Sequence, residues 1–187
     1  MGMAQKKDNW ISPEEYLERE RKADFKSEYI DGWIISMSGA SRNHNLIAGN
    51  LFAFLHNLFR EKPCSVYMSD MKVMAKDASH YTYPDIVVVC GKEEYADSKE
   101  DILVNPICII EVLSDSTEAY DRGDKFTYYQ KIPSLKEYIL VSQKRRLIET
   151  FVKQEDRHWL YSLTEEENLY LETADATIPL HEIYEKV

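Results

Sequence analysis

Apolar positions along the chain fall into alternating helical and extended periods. Ser12-Pro13-Glu14-Glu15 has the form of a helix start: Ser as N-cap, Pro at the first helical position, Glu at the capping-box position. The pattern predicts a helix to about residue 22. Asp31-Gly32 separates Glu28-Tyr29-Ile30 from the β-prone Trp33-Ile34-Ile35-Ser36-Met37, the signature of a hairpin. Between His44 and Arg60, Ile47, Leu51, Phe54, Leu55 and Leu58 recur at helical spacing and form one apolar stripe, which Lys62-Pro63 ends. Residues 66–75 read as one strand, with Met68, Met71 and Met74 filling gaps in the core. Residues 83–89 and 107–112 are almost continuously apolar, as strands buried on both faces are. An acidic loop, 91–101, lies between them. A helix is predicted over 121–132, stopped by Pro133, then a strand at 138–141. Residues 147–152 and 159–163 read as further, more exposed strands, and 180–184 as a short helix.

The order is helix, hairpin, long helix, three strands, helix, strand, then a β-rich end. That is a mixed α/β domain on one central sheet with helices on its faces. No internal repeat or low-complexity tract interrupts it. The organisation expected is one domain over residues 10–153, with an acidic C-terminal extension, 154–187, packed on it.

Composition narrows the function classes. With 187 residues, 44% hydrophobic and 30% charged, the sequence is that of an ordinary globular protein. It has no run of about 18 apolar residues and no apolar stretch at its start. The expectation is therefore no membrane span and a cytoplasmic location. Lys plus Arg is 23 and Asp plus Glu is 33, a formal charge of −10. Such a balance argues against a large non-specific nucleic-acid surface, which needs many cationic phosphate contacts. The acidity is concentrated after residue 154, so a small metal-assisted phosphate site in the body is not excluded. Cys64, Cys90 and Cys108 are odd in number and widely spaced, which suggests neither a disulfide framework nor a zinc site; Cys90 and Cys108 read as core residues.

Two acids stand in unfavourable surroundings. Asp85 opens a Val/Ile strand and Glu111 lies inside Ile107-Cys108-Ile109-Ile110-Glu111-Val112-Leu113. A carboxylate in a buried strand is costly unless paired or bound to a metal, and a divalent cation between two of them offsets both charges. The plainer alternative is that each sits at a strand end and meets solvent or an arginine. Asp121 and Lys125 follow at i,i+4 on a predicted helix, with Tyr128 and Tyr129 continuing their face. That helix begins directly after the Glu111 strand, where α/β sites gather. Alone, the Asp121–Lys125 pair reads as a surface ion pair.

Other constellations are poorer. The five histidines show no HxH or HExxH spacing, the six glycines form no phosphate loop, and no GxSxG occurs. His44 reads as a helix-start residue or as one facing the site. Lys144-Arg145-Arg146 reads as a solvated hairpin turn.

Several separated blocks carry a family resemblance: Tyr83-Pro84-Asp85, Ile110-Glu111-Val112-Leu113-Ser114, Tyr120-Asp121-Arg122-Gly123-Asp124-Lys125-Phe126, and Ile132-Pro133-Ser134-Leu135-Lys136-Glu137-Tyr138. With Glu28-Tyr29-Ile30-Asp31-Gly32, Met37-Ser38-Gly39-Ala40-Ser41 and Ser69-Asp70 they resemble the Uma-two family of endonucleases, placed in the PD-(D/E)XK nuclease superfamily. The similarity covers roughly residues 10–153. It implies a restriction-endonuclease-like core of order αβββαβ, with a central mixed sheet flanked by helices, an N-terminal helix and hairpin, and a β-rich C-terminal extension. It also implies that Asp85 and Glu111 take the places of the superfamily's two acids. These would bind Mg²⁺ or Mn²⁺, with the Val112 carbonyl as a further ligand. Oxygen ligands and water suit Mg²⁺.

One departure is plain. The superfamily's usual lysine lies two residues after the second acid, where this chain has Leu113. Lys125, from the following helix, is the expected substitute. Glu28, Asp121, Asp70 and His44 are possible supporting residues. The function expected is a Mg²⁺-dependent endonuclease that hydrolyses DNA phosphodiester bonds, with Asp85, Glu111 and Lys125 as its catalytic set and a homodimer as its assembly. The rivals are a nuclease-fold module that binds nucleic acid or protein without cleaving, and a metal-dependent hydrolase of a smaller phosphodiester.

Overall fold

A computed structural model describes residues 10–75, 79–155 and 158–187. Helix α1 (Pro13–Glu20) starts where the capping signal puts it, with the Ser12 hydroxyl accepting from the Glu15 amide. Strands β1 (Ser27–Ile30) and β2 (Trp33–Ser36) then form the expected hairpin. Its turn residues, Asp31 at φ 47° and Gly32 at φ 96°, both take the left-handed conformation that such a two-residue loop requires. A Cβ at position 32 would also collide with the Trp10 ring, so glycine is demanded twice there. Helix α2 (Arg42–Leu58) buries Ile47, Ala48, Leu51 and Leu55, and Ser41 caps it by accepting from the His44 amide.

Next come β3 (Cys64–Met68), β4 (Lys72–Ala75), β5 (His80–Thr82), β6 (Ile86–Cys90), β7 (Ile102–Leu103) and β8 (Cys108–Leu113). A helical segment follows: α3 (Glu118–Tyr120), a π-helical turn (Asp121–Lys125) and α4 (Phe126–Tyr129). It carries the chain over to β9 (Glu137–Ser142). The chain continues through β10 (Ile148–Lys153), β11 (Trp159–Thr164), β12 (Asn168–Leu171) and β13 (Ala176–Pro179), and α5 (Leu180–Ile183) follows.

The central sheet has six strands in the order β11-β10-β9-β8-β6-β3. Strands β8 and β9 run parallel, which is why a helical crossover joins them. A second sheet, β2-β1-β5-β4-β7, stands beside it. Side chains of a strand point alternately to opposite faces, so β6 and β8 feed two cores. Ile86, Val88, Ile110 and Val112 pack with α2, α5 and the Leu169–Ile178 hairpin. Val87, Val89, Ile109 and Leu113 pack with Val73, Leu103, Tyr129 and Leu135. The sheet is thus a buried middle layer, as the uninterrupted apolar runs require. No helix among the described residues is long and apolar enough to cross a membrane.

Three expectations need correction. Residues 66–75 are two strands in different sheets: β3 pairs with β6, β4 with β5 and β7, and Ser69–Met71 turn between them. Asp70 and Lys72 are polar for different reasons there, Asp70 because it is in the turn and Lys72 because it pairs with Asp101; Met68 is exposed rather than filling the core. Residues 147–152 are largely covered, because β10 is an interior strand between β9 and β11; of the two, β11 is the one at a sheet edge and exposed. Finally, Cys64 and Cys90 are joined by a disulfide. The β3–β6 register sets them directly opposite, with Cα atoms 4.0 Å apart. A spacing of 26 residues does not reveal a pairing that strand register creates. Cys108 is a buried free thiol, as read from the sequence.

Candidate active site

The Asp85–Glu111 relationship follows from register. Ile86 pairs with Ile110 on antiparallel β6 and β8, so one step further Asp85 stands across from Glu111. Both point to the face that carries Val87, Val89 and Ile109. The Asp85 amide donates to Glu111 Oε2 at 3.3 Å, and Asp85 Oδ2 accepts from the Val112 amide at 2.7 Å. Each acid is therefore oriented by the neighbouring strand.

Lys125 arrives from the π-helical turn. Its ammonium lies 2.9 Å from Glu111 Oε1, 3.3 Å from Asp121 Oδ1 and 3.3 Å from Glu28 Oε1. All four side chains are less than a tenth exposed. The wide turn keeps Asp121 and Lys125 on one face, and Tyr129, a further four residues on, donates to Glu111 Oε1 at 3.1 Å. The Tyr129 hydroxyl also shares a 2.9 Å hydrogen bond with Thr82. Glu28 comes from the other sheet, where the Tyr83 amide donates to it at 3.1 Å. The Tyr120 ring lies beneath the Lys125 ammonium, 5.8 Å away.

The opposite side of Asp85 is covered by His44, from the first turn of α2. His44 Nε2 is 3.1 Å from Asp85 Oδ2. The α2 N-terminus is tied down over the end of β8: the Ser41 hydroxyl donates to Gln143, whose amide donates to the Leu113 carbonyl at 2.8 Å.

The electrostatics follow from this packing. Burial pushes the Glu111 carboxyl well above its ordinary range; Lys125 pulls it down, and the Asp121 and Asp85 charges push it up further. Burial works against a charged Lys125, but Glu111, Tyr129, Glu28 and Asp121 together hold its ammonium well above the usual lysine value. For His44, too, burial disfavours the cation, and the hydrogen bond and charge of Asp85 outweigh it, so its pKa is raised.

Six of the seven side chains singled out from sequence therefore converge: Asp85, Glu111, Lys125, Glu28, Asp121 and His44, with the Val112 backbone among them. Asp70 does not. Its side chain is 91% exposed in the β3–β4 turn, where it pairs with Lys26 at 2.9 Å. Residue pattern alone missed the Tyr129 hydroxyl on Glu111, although its place on the Lys125 face was visible. It also missed Thr82, for which the sequence carries no signal, and the role of the Tyr120 ring, although Tyr120 opens one of the blocks that carry the family resemblance.

The donor set suits a hard divalent cation. Four carboxyl groups face one ammonium and one imidazole, which leaves a surplus of negative charge in a buried place. Among the described residues no three or more His, Cys, Asp or Glu form a ready-made metal cage. Mg²⁺ does not need one: it keeps several waters and takes one or two carboxylates. Asp85, Glu111 and the Val112 carbonyl supply that kind of set. One Asp121 oxygen has no hydrogen bond, although Lys125 lies within ion-pair distance of it.

The comparisons agree with this architecture. Residues 13–179 match the model of the Uma2 family, described as "Putative restriction endonuclease". Two uncharacterised proteins of Synechocystis sp. (strain ATCC 27184 / PCC 6803 / Kazusa) are similar. One is 36% identical over 162 residues, covering 87% of this chain and 92% of the relative. The other is 39% identical over 150 residues, covering 80% and 78%. Among solved structures, the crystal structure of "a putative nuclease belonging to DUF820" from Anabaena variabilis ATCC 29413 superposes with a TM-score of 0.76. It is 16% identical and covers 93% of this chain and 97% of that one. At that identity the likeness is one of fold. The fold and the matched length together place this chain in the Uma2 family of restriction-endonuclease-like proteins.

Proposed function

We propose that the protein is a metal-dependent endonuclease that hydrolyses DNA, with Asp85, Glu111 and Lys125 as its catalytic groups. The observation that carries this reading is the meeting of Asp85 and Glu111 across β6 and β8, with the Lys125 ammonium 2.9 Å from Glu111. Asp85, Glu111 and the Val112 carbonyl would hold Mg²⁺ or Mn²⁺. When bound, such an ion polarises a phosphoryl oxygen and lowers the pKa of a water. Lys125 positions the attacking water and offsets the negative charge that develops on the phosphoryl oxygens. Tyr129 and Asp121 keep Glu111 and Lys125 in place. The oxygen of water adds to phosphorus as one P–O ester bond breaks, and the leaving oxygen takes up a proton. No covalent intermediate with the protein is needed. A cytoplasmic homodimer completes the reading, since cutting both strands calls for two sites.

The test is cleavage of supercoiled plasmid DNA with Mg²⁺ or Mn²⁺. Wild type nicks it and Asp85→Ala does not. Equal inertness of the two across DNA substrates and both metals overturns the reading. A second reading has a specific observation behind it. Leu113, at the usual lysine position, is buried in the core, so a module that binds without cutting is the alternative. Calorimetry separates the two: absence of Mg²⁺ and Mn²⁺ binding favours the module.

A further inference from the structure

The Asp85 half and the Glu111 half of the cluster are held by different side chains, His44 and Lys125, and the two differ in their freedom to leave. Lys125 is 7% exposed and within 3.3 Å of three carboxylates. Withdrawing it would strand buried charge on all sides. Among the described residues His44, in the first turn of α2, has Asp85 alone as its ion-pair partner. It adjoins an exposed stretch: residues 37–42 are all exposed, and a Cβ built on Gly39 meets nothing within 4 Å. The His44 side chain is itself 14% exposed, twice the figure for Lys125.

Asp85 does not depend on His44 for its orientation, because the Val112 amide fixes Oδ2 at 2.7 Å. Nor does α2 need the ring, since its cap uses the His44 backbone amide. What the imidazole does occupy is Asp85 Oδ2, a member of the donor set assigned above to a divalent cation.

We propose that His44 is a removable internal partner of Asp85: it occupies the Asp85 carboxylate from α2, and a divalent cation enters by displacing it toward the Met37–Arg42 side. This rests on the metal-dependent reading above. It makes His44 a competitor of the metal rather than one of its ligands. Lys125, by contrast, stays in place when the ion binds.

The probe is Mn²⁺ alone, titrated by calorimetry into wild type, His44→Ala, His44→Gln and Asp85→Ala, each shown to be folded by circular dichroism. Removing one charge-assisted contact that must break on binding tightens Mn²⁺ binding about tenfold in His44→Ala. The smaller gain falls to His44→Gln, which can still hydrogen-bond Asp85, and Asp85→Ala loses binding. Unchanged or weaker affinity in His44→Ala, with wild type still binding, overturns the displacement and leaves the nuclease reading standing. No Mn²⁺ binding by wild type or His44→Ala overturns both. Wild-type protein supplies an independent readout. In a Mg²⁺ titration followed by ¹⁵N-histidine NMR, the His44 ring signals shift in step with saturation; signals that stay fixed overturn the proposal.

Discussion

Lys125 balances more negative charge than one ammonium carries. Glu111, Glu28 and Asp121 surround it, and burial denies all of them solvent. Lys125→Met keeps the length of the side chain and removes its charge. The expected loss is about 3 kcal/mol or more of folding free energy, because breaking one side of a buried pair leaves uncompensated charge. Urea unfolding monitored by circular dichroism measures it, and a midpoint equal to wild type would contradict the arrangement described. The sequence made this site legible through mismatch: a carboxylate within a run of Val, Ile and Cys has to be accounted for, and Asp85 and Glu111 are two such residues. The i,i+4 spacing of Asp121 and Lys125 was also readable, although a surface pair was the plainer expectation for them alone. Glu28 was not decidable from its neighbours, because its burial depends on β1 pairing with β5 and on Lys125, 97 positions later. Asp70 misled because a turn residue between two strands and an acid at a strand end look alike in one dimension.

At the scale of elements, strand periodicity recovered the buried members of the central sheet and failed where a strand stops and its neighbour joins another sheet. The β3–β4 break at Ser69–Met71 carries no glycine or proline to announce it. The disulfide was invisible for a related reason, since only the pairing of β3 with β6 brings Cys64 to Cys90. Strand β3 is the edge of the six-stranded sheet, and this bond fastens it. Closing a 26-residue loop constrains the unfolded chain by about 3 kcal/mol. Cys64→Ser is therefore expected to lower the urea midpoint under oxidising conditions and to make it insensitive to dithiothreitol. Equal midpoints for oxidised wild type and the variant would show that the bond is absent in solution. In a reducing compartment the staple opens, and β3 is held by its ladder alone.

Across the whole molecule, α1 is bound to the five-stranded sheet by a charged cluster that shares no residue with the candidate site. The Arg21 guanidinium grips both oxygens of Asp101, at 2.7 and 3.0 Å, and Lys72 of β4 adds a contact at 3.1 Å. The hydrogen bonds from Arg21 are the main cause of a low Asp101 pKa; burial opposes them and Lys72 reinforces them, and the result is about 2. A depressed acid stabilises the fold above its unfolded pKa of roughly 3.9. That stability is lost as pH falls toward about 2. Asp101→Asn should flatten the acid dependence of stability in this window, relative to wild type, in urea titrations at stepped pH; parallel profiles would contradict the pairing. The chain's net charge of −10 has a consequence at the same scale. The DNA substrate proposed above would meet an acidic body, so its approach to the site would rely on local contacts more than on long-range attraction.

The π-helical turn makes the length of the crossover segment unusually consequential. An α-helix advances about 100° per residue, and the wider turn at Asp121–Lys125 accommodates one residue more than the ordinary ladder would. Gly123 and Asp124 are exposed, so deleting either would take no side chain of the cluster away. It would nonetheless rewind the segment and rotate everything beyond it, carrying the Tyr129 hydroxyl off Glu111. Substitution is cheap at these two surface positions and a change of residue number is not, the reverse of what an exposed loop ordinarily tolerates.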